Sequence, residues 1–418
     1  MGLRPTARGI GLLLGGVALV VLGVALGTVD VVRMGTLAVL AVLGPAAVLA
    51  VLDPGRGRHR LAVVRTTTPN PVHVGDRADV EVLISATDPA ARVRLAGLRF
   101  AEQAATDLSG GSPLRARVRR TPHRVTVTYA VQAGRRGRWP LGPLVVTRTD
   151  PFGVARTSAT LGESAEVEVW PRVVPLPAPS DVLVGEPDRV ALGARTPSTD
   201  DASLREYHEG DDLRRVHWRS SARRGSLMVR SDERAGMRPV SVLLDLPARG
   251  DDLEWTISLA ASMALAMLEG GHPVRLVGGS RPLDAPGIGD PYGWVHAHGA
   301  TARGTLLDRT IDLEAPRNPE AAEVELLAAT HLLESTGAGD DIVLAVLGPL
   351  DRAGRAALAH LGDSVQGWAV VRLGARSSDG QDAEASVLAL RRAGWRACVV
   401  VGGEDVVACW LRLLGSAR

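Results

Sequence analysis

Residues 205–225 read REYHEGDDLRRVHWRSSARRG, and the rest of the chain is organised around them. Six arginines and four carboxylates lie in this run, with Tyr207 and Trp218 between the charges. The run follows neither a helical nor a strand period and has too few apolar residues for a core element. Arginine forms planar, bidentate pairs with carboxylates and stacks on aromatic faces. We therefore expect a folded, ion-paired junction or a recognition surface; a polar linker between domains is the alternative.

The spacing of particular residues in this run carries a family resemblance. These residues are Arg205, Tyr207, Gly210, Asp211, Asp212, Arg214, His217, Trp218, Ser221 and Arg223. The pattern resembles the signature of the DUF58 family of bacterial membrane proteins, and residues 134–143 and the Asp150-Pro-Phe-Gly153 turn add a second family-like mark. The resemblance covers nearly the whole chain. It implies a place in an assembly, as a partner of a MoxR-type AAA+ ATPase, rather than a defined reaction.

The best physical account of the signature is a clasp of ion pairs. In this clasp three arginines bridge three carboxylates: Arg205, Arg214 and Arg223 with Glu206, Asp211 and Asp212. Partly buried networks of this kind serve geometry as much as stability. The clasp either fixes two domains against each other or presents a surface to a partner, and the sequence leaves both roles open.

Downstream of the signature the pattern changes to that of an α/β domain, predicted over residues 236–418. Residues 240–246 form an almost wholly apolar run, in which only Ser241 and Asp245 are polar, as is typical of a buried parallel strand. Further strands are predicted at 273–277, 341–347, 367–372 and 397–401, and helices at 253–269, 320–334, 352–360, 384–392 and 405–414. Such alternation predicts a parallel sheet covered on both faces, with ligands beyond the carboxyl ends of the strands.

The family resemblance implies that this domain has a von Willebrand factor type A-like (Rossmann-like) fold. The metal site of that fold requires Asp-x-Ser-x-Ser after the first strand, because hydroxyls and carboxylates suit a hard cation. Here Asp245 is followed by Pro247 and Arg249 at the serine places. We therefore expect Asp245 to be a degenerate metal position without an ion. It would instead accept backbone hydrogen bonds or pair with an arginine of the signature.

Upstream of the signature segment (203–235), a Pro- and Gly-rich linker is predicted over 176–202 and a β domain over 60–175. Short alternating strands are predicted at 79–85, 93–95, 115–119, 125–131, 144–148 and 165–170, with no helix between them. This pattern favours an all-β, antiparallel sandwich of immunoglobulin-like type. Between Asp53 and Asp150 there are 17 Arg against 8 Asp and Glu. That excess suits contact with anionic lipid, or simply the solvent faces of the strands.

The N-terminal residues 1–55 are predicted to form a two-helix transmembrane hairpin. Two uncharged runs, 9–29 and 34–52, are each long enough to span a bilayer, with Asp30 and Arg33 between them. A cleaved signal peptide is the alternative, but the first run is longer than a signal core and a second follows at once. Arginines flank both outer ends, which predicts a two-pass protein of the inner membrane with the N-terminus and main body in the cytoplasm.

Composition excludes several classes of protein. All 48 basic residues are Arg, so chemistry that depends on lysine is excluded. A net charge of +2 argues against a general nucleic-acid binder. Cys398 and Cys409 are expected to be reduced and buried, with a disulfide between them as the alternative. No cofactor motif is present, so none is expected.

An enzyme is the main alternative to a scaffold or adaptor. Asp211, His217, Ser220 and Ser221 supply the residue types of a hydrolase triad, but neither serine lies in a Gly-x-Ser-x-Gly elbow. A pocket between the signature and the end of the 240–246 strand is the expected place for such a site. A third interpretation is binding of anionic lipid or nucleic acid by the basic β domain, which predicts a steep loss of binding with salt.

Overall fold

The chain divides into two compact units, residues 1–170 and 171–418. A computed structural model describes residues 4–51, 61–95, 98–110, 114–177, 204–206, 221, 228–230, 238–248, 252–280, 292–296, 299–336, 341–373 and 379–416.

The first unit begins with a helical hairpin of α1 (Ala7–Ala25) and α2 (Val29–Val51). Both helices are long and apolar enough to cross a membrane, and most of their side chains are exposed. The turn lies earlier than the sequence predicted, because Gly27 ends α1 in a left-handed conformation with φ +66°. Asp30 and Arg33, expected between the helices, instead lie in the first turns of α2. Arg33 Nη1 is 3.3 Å from Asp30 Oδ1.

Glycines form the seam between α1 and α2. The buried residues of α1 recur every seven positions, at Gly9, Gly16 and Gly23. A Cβ added at Gly16 or Gly35 would lie 3.0 Å or less from the backbone of the opposite helix, so only glycine allows this approach. A Cβ at Gly23 would likewise lie too close to the α2 backbone, whereas a Cβ at Gly15 would meet no described atom within 4 Å.

Two β-sheets make up most of the rest of the first unit. The first sheet contains β1 (Arg4–Pro5), β3 (Val72–His73), β5 (Arg99–Ala104), β8 (Gly137–Thr149), β9 (Ala155–Leu161) and β10 (Ala165–Trp170). Its order is β1-β9-β8-β10-β3, with β5 also paired to β8. The second sheet contains β2 (Ala62–Thr68), β4 (Arg77–Ser85), β6 (Arg117–Arg120) and β7 (Arg124–Gln132). Its order is β2-β4-β7-β6.

The alternating pattern read from the sequence places one face of each strand in a shared core. In β4, Val80, Val82 and Ile84 are buried and alternate with exposed or partly exposed neighbours. They join residues of the first sheet such as Leu144 and Val167 in one hydrophobic cluster. The predicted β character of this region is therefore confirmed.

Two details of the predicted antiparallel sandwich are wrong. Residues 93–95, expected to form a strand, lie in helix α3 (Pro89–Leu95). Asp88 caps that helix by accepting the Ala91 amide at 2.9 Å, and Pro89 occupies its first position, where a missing N–H costs nothing. The sheets are also not wholly antiparallel, because β10 pairs with β3 in parallel.

The second unit is built on a five-stranded parallel sheet, which confirms the predicted α/β region. Its strands are β13 (Val240–Leu244), β14 (Val274–Gly278), β15 (Ile342–Leu347), β16 (Gln366–Arg372) and β17 (Arg396–Val400), in the order β14-β13-β15-β16-β17. The helices are α4 (Asp252–Glu269), α5 (Ala300–Ile311), α6 (Pro319–Thr336), α7 (Arg352–Gly362), α8 (Asp379–Arg392) and α9 (Val406–Leu414). The helix α5 was not predicted. Every residue of β13 and β15 is buried, as expected for strands covered on both faces.

The two cysteines lie in the second unit as free, buried thiols, as predicted. Burial raises the pKa of Cys398 to about 11 and that of Cys409 to about 12. Both thiols therefore stay protonated and unreactive near neutral pH.

Candidate functional site

The signature segment is tied at its two ends by a short pair of strands, β11 (Leu204–Glu206) and β12 (Met228–Arg230). They pair antiparallel, with Arg205 opposite Val229.

Ser221 is buried, but most of the signature lies outside the described residues. Outside them are Tyr207, Gly210, Asp211, Asp212, Arg214, His217, Trp218 and Arg223. The ion-paired clasp therefore remains a prediction, and so does the alternative hydrolase triad.

Asp245 lies at the carboxyl end of β13, beside the place where the order of the sheet reverses. The chain proceeds from β13 outward to β14 and then returns to β15 on the other side of β13. Sheets of this order bind ligands in the crevice at that reversal. Here Oδ2 of Asp245 accepts the Gly348 amide at 2.6 Å, which joins the ends of β13 and β15. One of the two roles expected for Asp245, acceptance of a backbone hydrogen bond, is therefore present.

Arg372, the last residue of β16, supplies a positive charge at this edge of the sheet. Its Nη1 donates to the Asp245 carbonyl oxygen at 2.5 Å, and its Nη2 lies 3.8 Å from Asp245 Oδ2. The side chain of Arg372 is 6 % exposed and that of Asp245 is 12 % exposed. Sequence reasoning missed Arg372, although a charge ending an otherwise apolar strand was a visible signal.

Asp252, at the start of α4, adds a second negative charge near Arg372. Its carboxylate lies so close to Gly402, just after β17, that a Cβ at Gly402 would overlap it. The guanidinium therefore belongs to a group of three charges at one edge of the sheet, with both carboxylates on the β13–α4 connection and Arg372 at the end of β16.

Burial disfavours the charged forms of both members of the pair. It raises the pKa of Asp245, against the opposing effects of Arg372 and the Gly348 amide. It lowers the pKa of Arg372, against the opposing effects of Asp245 and Asp252. Each charge is thus kept in the interior by the other, as expected for a buried ion pair.

Asp245 and Arg372 form an internal ion pair at this edge of the sheet. Among the residues that the structure describes, no group of three or more His, Cys, Asp or Glu could hold a metal ion. Gly348 and Pro349 follow β15 directly and bring no polar side chain to this edge.

A second buried ion pair lies in the first unit. Arg65 of β2 donates from Nη2 to Glu102 Oε1 at 2.5 Å and from Nη1 to the Glu163 carbonyl at 2.8 Å. The two side chains are 5 % and 8 % exposed. Burial raises the pKa of Glu102 against the effect of Arg65. Burial and the nearby Glu102 charge raise the pKa of Tyr129. Sequence reasoning did not single out any of these residues.

Comparison with known proteins places the signature in a family. Residues 203–281 match the family described as protein of unknown function DUF58, so the resemblance is confirmed over that segment. No curated protein matches the chain significantly.

Solved structures offer weak similarity only. The PilB minor pilin from Streptococcus sanguinis has 10% sequence identity and a TM-score of 0.29, covering 85% of this chain and 76% of the pilin. A point mutant of the same Streptococcus sanguinis pilin has 9% identity and a TM-score of 0.25, covering 86% of this chain and 77% of the pilin. Similarity at this level does not define the fold.

Proposed function

We propose that this protein is a membrane-anchored cytoplasmic scaffold or adaptor that holds a MoxR-type AAA+ ATPase at the inner membrane. The observation that carries the proposal is that Arg372 occupies the space at the carboxyl ends of β13 and β15. Arg372, bound to Asp245, takes the place beside the reversal where sheets of this order receive ligands. An edge closed by the chain's own cation suits a structural role better than turnover of a small molecule.

The proposal includes a finer assignment of both folds. For the second unit we propose a von Willebrand factor type A-like domain whose metal position is degenerate. The supporting features are the parallel sheet and Asp245 directly after its first strand. For the first unit we propose an immunoglobulin-like sandwich with a local parallel pair, supported by two sheets around one core.

The membrane anchor is the α1–α2 hairpin. Both helices expose large apolar side chains along their length, for example Leu14 on α1 and Leu37 on α2. Such exposure is unfavourable in water and favourable in lipid. Exposed Arg4 precedes α1 and exposed Arg8 lies in its first turn, which supports a cytoplasmic N-terminus by the positive-inside rule. Because the hairpin returns the chain to the same side, the main body would also be cytoplasmic.

The partner surface is assigned to the signature segment. Its arginines and carboxylates provide the bidentate, charge-assisted contacts that recognise a folded partner. The choice of a MoxR-type ATPase rests on the DUF58 resemblance, and the DUF58 match covers this segment.

Co-purification tests the proposal directly. Full-length protein would be solubilised from membranes and captured together with a co-expressed MoxR-type ATPase. Reversing a signature charge, Arg214→Glu or Arg223→Glu, should reduce ATPase recovery by about tenfold or more, equivalent to at least ~1.4 kcal/mol of binding. The fraction of protein in the membrane should not change.

The matched control is Arg119→Glu, an exposed arginine on β6 outside the signature. Its ATPase recovery should equal that of the unmodified protein. Equal recovery with all three variants would contradict the partner role. Turnover of a small molecule by the purified protein would favour the enzyme alternative.

A further inference from the structure

The turn at residues 150–153, Asp-Pro-Phe-Gly, is held rigidly by its first side chain. Asp150 is buried, and its two carboxylate oxygens accept the Phe152 amide at 2.8 Å and the Ala155 amide at 2.5 Å. The Asp150 amide in turn donates to the Ala155 carbonyl at 3.1 Å. The position of Phe152 is therefore fixed by backbone contacts and does not depend on packing of its own ring.

This turn is joined to the first residues of α1. The Thr6 amide donates to the Val154 carbonyl at 3.0 Å, and the Thr6 hydroxyl donates to the Gly153 carbonyl at 2.6 Å. The same hydroxyl caps α1 by accepting the Gly9 amide at 3.2 Å. Gly9 lies against the Val154 carbonyl so closely that a Cβ would overlap it. The turn therefore lies beside the first turn of α1, at the same height along the axis of that helix.

Phe152 is exposed at this level. Its side chain is 71 % exposed, whereas Phe100, the other phenylalanine of the chain, is only partly exposed and lies under Arg120. The fixed turn therefore presents an aromatic ring that the described residues leave largely uncovered. Aromatic rings are enriched where a membrane-spanning helix meets the headgroups.

Positive charges surround the same level. Arg4 and Arg8 flank the start of α1, and Arg156 is opposite Arg4 in the β1–β9 pair. All three are exposed. Arginines next to the start of a span attract anionic headgroups within a Debye length of the surface. The aromatic ring suits the apolar boundary of one leaflet, and the three arginines suit the anionic headgroups at its surface.

We propose that Phe152, with Arg4, Arg8 and Arg156, forms an interfacial anchor that inserts the ring into the leaflet where α1 begins and binds anionic headgroups there. This inference rests on the proposed membrane anchoring. It goes further by assigning a lipid contact to the β domain itself. The β domain is then held against the bilayer by two elements, the hairpin and the turn.

The test places a fluorescent probe on the turn of the full-length protein. The Phe152→Cys variant is labelled with an environment-sensitive dye and reconstituted in vesicles of phosphatidylcholine and phosphatidylglycerol carrying a shallow lipid quencher. Unmodified protein gives the background, because Cys398 and Cys409 are buried. Leu14→Cys, exposed on α1, is the lipid reference, and Thr68→Cys, exposed at the end of β2, is the aqueous reference.

We expect the probe at position 152 to be quenched by about half or more, as befits a group ~5–10 Å inside the headgroup boundary. The probe at Thr68→Cys should remain unquenched. Quenching at 152 should weaken when phosphatidylglycerol is omitted or when Arg156→Gln is added. A probe at 152 that responds like the one at Thr68→Cys, while Leu14→Cys is quenched, would overturn the anchor and leave the proposed membrane protein intact.

Two other outcomes also decide the matter. If neither 152 nor Leu14→Cys is quenched, the membrane anchoring itself is wrong, and the interfacial anchor fails with it. If the probe at 152 is shielded from both the lipid quencher and aqueous iodide, protein covers the turn, and the lipid assignment is wrong.

Discussion

Among the described residues, each of the two units contains a buried arginine–carboxylate pair, but backbone contacts hold the two pairs differently. In the second unit the carboxylate itself is fixed by a backbone amide, and Arg372 bonds the carbonyl of the same aspartate. In the first unit Glu102 is held by Arg65 through one oxygen, and its Oε2 has no hydrogen-bond partner among the described residues.

This difference predicts how each unit responds to loss of its arginine. A buried charge left without its partner is costly, whereas a carboxylate that can take up a proton avoids most of that cost. Asp245 is tied in its charged form by the Gly348 amide, so protonation would weaken that bond. Glu102 lacks such an amide and is freer to become neutral. The Arg65–Glu102 pair should therefore tolerate loss of its arginine better than the Asp245–Arg372 pair does.

The largest expected effect is at Arg372. Replacing it by Met keeps the bulk of the side chain but leaves Asp245 buried without its cation. We expect Arg372→Met to lower the free energy of unfolding of the second unit by about 3–5 kcal/mol. Urea denaturation of the full-length protein in detergent, followed by tryptophan fluorescence, measures this change.

Two controls accompany that variant. Arg392→Met, at an exposed site in the last turn of α8, should change the free energy of unfolding by no more than ~0.5 kcal/mol. The double variant Arg372→Met with Asp245→Leu removes both charges and should recover much of the loss. A single variant as stable as the unmodified protein would show that the pair contributes nothing to the sheet edge.

A smaller effect is expected at Arg65. The variant Arg65→Met should lower the free energy of unfolding of the first unit by about 1–3 kcal/mol at neutral pH, because Glu102 can escape its unpaired charge by protonation. The same denaturation experiment measures it. Arg77→Met, an exposed β4 arginine that pairs with Asp79, is the matched control. A loss larger than that of Arg372→Met would reverse the comparison.

The smallest effect concerns pH. The pKa of Glu102 in the folded protein is raised above 4.5 by burial, and removing Arg65 raises it further because Arg65 opposes that shift. A raised pKa favours the folded state as pH falls toward the unfolded value. The deficit of Arg65→Met should therefore shrink by about 1 kcal/mol between neutral pH and pH ~4.5. The deficit of Arg372→Met should shrink less. Unfolding curves at several pH values test both, and parallel deficits would contradict the assigned difference.

Local patterns predicted much of this molecule. Continuous apolar runs such as residues 342–347 could only be buried strands or buried helices, and their short length favoured strands. Strict alternation in β4 likewise fixed which side chains face the core. The two apolar helices followed from length and charge alone.

Other features depend on contacts that no local window contains. The pairing of β3 with β10 joins residues almost a hundred positions apart, Val72 and Val169. In the sequence, Arg372 marks only the end of a strand. Its contact with Asp245, 127 positions earlier, exists only in the folded chain. The error at residues 93–95 was avoidable, since Asp88 and Pro89 together signal the start of a helix.

The glycine seam and the Asp30–Arg33 contact have a consequence for biogenesis. On the proposed topology, the tip of the hairpin is the part that must be translocated through the bilayer. Asp30 and Arg33 are the sole acidic and basic side chains between residues 9 and 51, and they lie 3.3 Å apart. If α1 and α2 are already packed at their glycines, Asp30 and Arg33 would cross the bilayer together as an ion pair with no net charge. Its passage would then perform no net electrical work against the membrane potential.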